Sequence, residues 1–154
     1  MTDDGFTTDE ARMLPGLLDV VIPPSPDGRL PGAGSLDLLP DLLATIRRMP
    51  MVGSVVEYGL SVLAQRAAER DPGGWDALAP AGRAALLEDF AAGDQFFLPA
   101  FLFLAYAAYY RHPRVVTALG MEPRPPHPQG YPMEEDDWSL LEAVRRRGKI
   151  HREA

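Results

Sequence analysis

The chain has 154 residues, of which 46% are hydrophobic and 24% are charged, and these values are typical of a globular domain with a hydrophobic core. Its formal net charge of −7 disfavours nonspecific binding to nucleic acid or to anionic membrane surfaces. The absence of cysteine excludes disulfides, a thiolate nucleophile and zinc–thiolate sites. We therefore expect no nucleic-acid partner and no direct insertion into a membrane.

The first two predicted helices flank a loop that is rich in proline and glycine. "TTDEARMLPGLLDVVIP" has a threonine cap, acids in its first turn and an apolar stripe at helical spacing, while Pro15 predicts a kink or a restart of the helix. "PSPDGRLPGAG" has the composition of a loop, and its prolines predict a rigid turn. In "SLDLLPDLLATIRR", Pro40 belongs in the first helical turn, which favours Asp37 over Ser35 as the cap.

The next helices are marked by proline at their starts. "PMVGSVVEYGLSVLAQRAAER" predicts a third helix, in which Gly53 and Gly59 either weaken the helix or allow close packing. A fourth helix is predicted to begin at Pro80. A short sixth helix is predicted to begin at Pro113 and to end at Gly120.

The fifth predicted helix, "DQFFLPAFLFLAYAAYYR", has no charged residue between positions 96 and 110. This stretch is shorter than the roughly 20 residues of a membrane span, and Asp94 and Arg111 flank it closely. The pattern predicts a core helix that is buried on all faces. Its density of aromatic residues leaves open the alternative that another protein chain covers one face.

Residues 122–132, "EPRPPHPQGYP", cannot form a helix, because proline fixes φ and removes an amide donor. We expect an extended, partly polyproline-like arm, followed by a closing helix over residues 136–147. The whole chain is then predicted to be an all-α, single-domain bundle of about six to seven helices over residues 1–154, with residues 1–7 as a flexible N-terminus.

The sequence predicts no catalytic, cofactor-binding or metal site in this chain. The three histidines, His112, His127 and His151, do not lie at a ligand spacing typical of helices, and no glutamate lies three residues before any of them. Neither a G-x-S-x-G nucleophile motif nor a phosphate-binding glycine loop is present.

Two stretches carry a resemblance to a known family. "LLDVVIPPSPDGRLPGAGSLDLLPDLL" resembles the opening of the gluconate 2-dehydrogenase small-subunit family, also called its gamma subunit or subunit 3. "YYRHPRVVTALG", followed by a proline-rich stretch that ends in "GYP", is similar to the later half of the family. The resemblance covers roughly residues 8–132, and members of the family are noncatalytic companions of a large flavoprotein.

The resemblance implies a large partner subunit, a flavin-dependent oxidoreductase of the glucose–methanol–choline type that carries the FAD and the chemistry. This chain would hold no cofactor and would assist the folding, maturation or export of that subunit. Its first residues, "MTDDGFTTDE", resemble neither a secretory signal nor a twin-arginine signal, and Arg47 and Arg48 lie too far along the chain to serve as one. We therefore expect a cytoplasmic pair.

The arm and the end of the aromatic helix are the predicted partner interface, because large rings bury much area while keeping a polar edge satisfied. The predicted interface residues are Tyr109, Tyr110, His112, Pro125, Pro126, Tyr131 and Trp138. Packing of the arm on its own bundle is the alternative.

Two other functions stay open for the chain. One is a stand-alone helical module that binds a protein or a small apolar ligand, and the other is an enzyme that uses His112, His127, Tyr109 and nearby acids.

Overall fold

The computed structural model describes residues 7–125 and 127–147, and within these ranges the regular secondary structure is entirely helical. The α-helices are α1 (Thr8–Val21), α2 (Leu39–Arg48), α3 (Pro50–Arg70), α4 (Pro80–Gly93), α5 (Phe97–Tyr109), α6 (Pro113–Ala118) and α7 (Glu142–Arg146). Short 3-10 helices occupy Ala33–Ser35, Gly74–Ala77 and Trp138–Leu141. The predicted all-α class is confirmed. The chain divides into a first unit of residues 1–123 and a second unit of residues 124–154.

Helix α1 begins with the predicted threonine cap, which the structure shows to be part of a capping box. The Thr7 side chain accepts a hydrogen bond from the backbone N–H of Glu10 at 3.2 Å, and the Glu10 carboxylate accepts one from the N–H of Thr7 at 2.7 Å. The helix continues through Pro15 without restarting.

The predicted cap of α2 is wrong. Leu38, not Asp37, precedes the helix, and its side chain makes no capping hydrogen bond. The Leu38 carbonyl accepts the first helical bond from the N–H of Leu42 at 3.0 Å, and the Leu38 side chain is buried in the core. Burial of this leucine, rather than a polar cap, coincides with the start of the helix.

The starts of α3, α4 and α6 at Pro50, Pro80 and Pro113 are confirmed, and Gly120, with φ of +81°, follows α6. The closing helix is shorter than the predicted range 136–147. Asp137 caps a 3-10 turn by accepting a hydrogen bond from the N–H of Ser139 at 3.0 Å, and α7 occupies only the last part of the segment.

Helices α1, α3 and α5 form the centre of the first unit, where α5 contacts α2 and α3 while α1 contacts α3 and α4. Phe90 and Phe97 pack with ring centroids 5.2 Å apart, and Phe97 stacks on Phe101 at 5.7 Å. A Cβ placed on Gly59 would lie 2.0 Å from the Phe97 ring, so glycine is what lets α3 approach α5 this closely. Among the described helices, none combines the length and apolarity needed to cross a bilayer.

Candidate functional site

Helix α5 buries one face and exposes the other. Its buried residues are Phe97, Phe101, Leu104, Ala105, Ala108 and Tyr109. On the opposite side, the exposed fractions are 66% for Phe96, 52% for Phe103, 42% for Tyr106 and 51% for Tyr110. The prediction of a helix buried on all faces is therefore wrong, because α5 has neighbours on one side only in the described chain.

We define the aromatic stripe as Phe96, Pro99, Phe103, Tyr106 and Tyr110, all of which are exposed. Their spacing of three or four residues places them along one line on the helix surface. The Tyr106 and Tyr110 rings lie 6.1 Å apart, so the stripe is continuous at its C-terminal end. An exposed aromatic surface of this kind is typical of a protein–protein interface.

Asp94 organises the first turn of α5. Its Oδ1 accepts hydrogen bonds from the backbone N–H of Phe96 at 2.8 Å and of Phe97 at 2.9 Å. These two bonds, of which the bond from Phe97 has the larger effect, lower the pKa of the Asp94 carboxyl below its ordinary value. A negative charge is therefore fixed at the N-terminal end of the stripe.

Tyr109 is buried and holds the first loop. Its hydroxyl donates a hydrogen bond to the carbonyl of Pro31 at 2.7 Å, and burial, followed by the neighbouring Tyr110, raises the pKa of the Tyr109 phenol. Of the two adjacent tyrosines predicted to face a partner, only Tyr110 offers side-chain surface in this conformation. The two rings meet edge to face at 5.2 Å.

The proline-rich first loop has an internal hydrogen-bond network. Ser25 donates its N–H to the carbonyl of Leu30 at 3.0 Å and accepts the N–H of Leu30 on its hydroxyl oxygen at 2.9 Å. The Ser25 hydroxyl and the N–H of Arg29 donate to Asp27, in that order of effect, and lower the pKa of its carboxyl. Gly34 donates its N–H to Asp19 of α1 at 2.8 Å. The loop is thus fixed at several points, as its prediction as a rigid turn requires.

His112 lies three residues after the end of α5 and caps α6. Its Nδ1 accepts a hydrogen bond from the N–H of Arg114 at 3.3 Å, and its own N–H donates to the carbonyl of Tyr109 at 3.1 Å. The structure thereby brings Tyr109, Tyr110 and His112 together at one end of α5. The His112 side chain therefore stabilises the start of α6.

In the second unit, Arg124 and Tyr131 contact each other and residues 127–129 form a turn, so the described residues of this segment do not follow the predicted extended path. The Arg124 guanidinium lies 4.5 Å from the centroid of the Tyr131 ring and donates to the carbonyl of Gly130 at 2.9 Å. The Tyr131 hydroxyl donates back to the carbonyl of Arg124 at 2.9 Å. These contacts join the two ends of the segment, whereas an extended path would separate them. Residues 131–137 have no regular secondary structure.

The remaining predicted interface residues also lie in the second unit. Pro125 is exposed, and Tyr131 and Trp138 are 49% and 63% exposed. Pro126 lies outside the described residues, as does His151. Other apolar side chains of this unit are exposed too, and these are Met133, Leu140, Leu141 and Val144.

The concave regions of the first unit include a cavity beside Trp75 and an open groove. A cavity of about 170 Å³ is lined by Trp75, whose buried indole N–H has no acceptor among the described residues. This volume is below the roughly 300–1,000 Å³ of small-molecule sites. A groove of about 540 Å³ with a mainly apolar lining is formed by Val20, Ala84, Leu87, Glu88, Ala91, Ala92 and Leu98. No group of three metal-binding side chains occurs in the described part of the chain.

Comparison with known proteins gives no further assignment: no protein-family model, curated protein or solved structure matches this chain.

Proposed function

We propose that this chain is a noncatalytic small subunit, or a maturation partner, of a flavin-dependent oxidoreductase of the glucose–methanol–choline type. The observation that carries the proposal is the aromatic stripe, in which four aromatic side chains are 42–66% exposed along one helix face. Leaving this much aromatic surface in water is unfavourable, and a partner chain that covers it gains the free energy of burial.

The nature of the partner comes from the resemblance of residues 8–132 to the gluconate 2-dehydrogenase small-subunit family. On this proposal the FAD and the reaction belong to the large subunit, and the pair is cytoplasmic. The partner-facing residues are the aromatic stripe and His112 in the first unit, with Pro125, Tyr131 and Trp138 in the second. Tyr109 contributes indirectly, by holding the first loop against the inner face of α5.

The test is coexpression of the tagged chain with a flavoprotein of this type that is encoded beside it. We expect the large subunit to copurify with its FAD. Phe103→Glu, in the middle of the stripe, should lower capture at least tenfold, since it buries a charge in the interface. Tyr58→Glu is the matched control, because Tyr58 is 65% exposed on a different helix, α3, and capture should not change.

The outcomes of this experiment test the proposed function and the aromatic stripe as its binding surface separately. Failure to capture any such flavoprotein would contradict the proposed function. Equal capture by wild type and Phe103→Glu would retain the function and reject the stripe as its surface. Trp138→Ala, measured in the same way, tests whether the second unit contributes to capture.

A module that binds a small apolar ligand is the second candidate, because the groove of about 540 Å³ is within the range of such sites. Its test is binding of a fluorescent apolar probe to wild type and to Ala91→Trp, which fills the groove. Loss of probe binding in the variant alone would favour this candidate.

A further inference from the structure

The aromatic stripe is symmetric about Phe103. Phe96 and Tyr110 each lie seven residues from it, while Pro99 lies four residues before it and Tyr106 three residues after it. Seven residues are about two helical turns, so Phe96, Phe103 and Tyr110 share one line on the surface of α5. A rotation of 180° about an axis that passes through Phe103 and is perpendicular to α5 therefore brings the stripe of a second copy onto the stripe of the first.

The charges at the two ends of the stripe are opposite. Residues 95–110 carry no charged side chain, Asp94 precedes them and Arg111 follows them. Both backbone bonds to Asp94 end on Oδ1, and this leaves Oδ2 for a further donor. Arg111 is exposed. In an antiparallel pair of α5 helices, the acidic end of one copy lies beside the basic end of the other.

We propose that, in the absence of its large partner, the chain forms an antiparallel two-fold homodimer through the aromatic stripe. The two Phe103 rings meet at the axis, Phe96 of each copy faces Tyr110 of the other, and Asp94 of each copy pairs with Arg111 of the other. The contact is isologous, so it closes after two copies. It keeps the apolar surface covered until the large subunit arrives.

This inference rests on the proposed function for one step, in which the large subunit displaces the second copy from the same stripe. The dimer itself requires no partner. We expect this dimer to be weak, because a single helix face is a small contact compared with the roughly 800 Å² per partner of a standard interface. We expect a dissociation constant on the order of 10 µM. At this value the chain can dimerise, and the large subunit can still displace the second copy.

Sedimentation velocity of the purified chain tests the dimer. Over concentrations of about 1–100 µM, the wild type should shift from monomer to dimer. Phe103→Glu places two like charges at the axis and should weaken association at least tenfold, whereas Tyr58→Glu should associate as the wild type does. A wild type that stays monomeric at the highest concentration, or a Phe103→Glu variant that associates normally, overturns the proposal.

A charge-exchange experiment tests the antiparallel register. Arg111→Glu leaves both ends of the stripe acidic, and Asp94→Lys leaves both ends basic, so each variant alone should associate less than wild type. An equimolar mixture restores opposite charges at both ends and should form a heterodimer with an affinity near that of wild type. Circular dichroism of each variant checks that α5 stays folded, because Asp94 also organises its first turn.

A mixture that associates no better than the separate variants overturns the proposed register. The large subunit is absent from these measurements. A failure here therefore leaves the proposed function untouched, and a failed capture experiment leaves the dimer untouched.

Discussion

The inner and outer faces of α5 contain the same kinds of residue and have different roles. On the inner face, Phe97 and Phe101 are each 1% exposed and pack against each other. On the outer face, Phe96 and Phe103 are more than half exposed. The difference cannot come from the helix alone, because it is apolar all round. It comes from the neighbours, above all from α3, where Gly59 leaves room for Phe97.

The largest expected effect compares two phenylalanines that lie two residues apart. Phe101→Ala should lower the free energy of unfolding by about 3–5 kcal/mol, because it leaves a cavity in the core. Phe103→Ala should change it by about 0.5 kcal/mol or less, because its site is exposed. Urea denaturation of both variants provides the measurement. Similar losses for the two would show that the outer face also belongs to the core of the isolated chain.

The next effect concerns the close approach of α3 and α5. Gly59→Ala places a methyl group against the Phe97 ring and should cost about 1–3 kcal/mol of stability through overpacking. Gly82→Ala is the matched control within α4, where the nearest atom to an added Cβ is 3.9 Å away. This control should be stabilising by about 0.5–1 kcal/mol, since alanine favours helix. Stabilisation by Gly59→Ala, measured by the same denaturation, would contradict the packing argument.

Helix positions were largely predictable from the sequence, because proline and glycine act locally. Helices α3, α4 and α6 begin at Pro50, Pro80 and Pro113, because the N–H that proline lacks has no partner at the first helical position. Gly120 marks the end of α6. The start of α2 was not predictable in this way. There the burial of Leu38 is a tertiary effect, and no local pattern distinguishes it from a cap at Asp37.

The aromatic run of α5 could be recognised from the sequence as a possible interface, but Phe96, Phe103 and Tyr106 of the stripe were not among the predicted interface residues. A run of aromatics without charges indicates a surface or a core, but it gives no helical phase, so Tyr109 and Tyr110 could not be told apart. In the second unit, the side chains of Arg124 and Tyr131 meet on either side of the turn at residues 127–129. The prolines of this segment predict an extended path. The contact between the Arg124 guanidinium and the Tyr131 ring cannot be predicted from their positions in the sequence.

An intermediate effect is expected where the inner face of α5 holds the first loop. Tyr109→Phe removes the hydrogen bond to Pro31 and should cost about 1 kcal/mol of stability. Hydrogen exchange should be slow in wild type at the bonded amides of Leu30, Ala33 and Gly34, and faster in the variant. Fast exchange at all three amides in wild type would reject the rigid loop.

Tyr109 also makes the stability of the fold depend on pH in the alkaline range. Because the pKa of Tyr109 is raised in the folded chain, its contribution to stability is complete below the ordinary tyrosine pKa of about 10 and is lost as pH rises through the higher folded value. Tyr109→Phe should lack this alkaline loss. Equal losses in wild type and variant above pH 10 would assign the effect to other groups.

The smallest expected effect lies at the residue that serves both faces of α5. Asp94 accepts one backbone N–H from Phe96 on the outer face and one from Phe97 on the inner face. Because these bonds lower the pKa of its carboxyl, Asp94 stabilises the fold above the ordinary aspartate pKa of about 3.9, and this contribution is lost as pH falls through the lower folded value. Asp94→Asn keeps a capping oxygen and removes the charge, so at neutral pH it should cost about 0.5 kcal/mol or less, given the exposure of the site. Thermal unfolding of both proteins from pH 7 to pH 2 measures the difference, which should shrink toward zero at the acid end. A difference that stays constant over this range would mean that the charge of Asp94 does not stabilise the helix start, and that its geometry alone aligns the two faces.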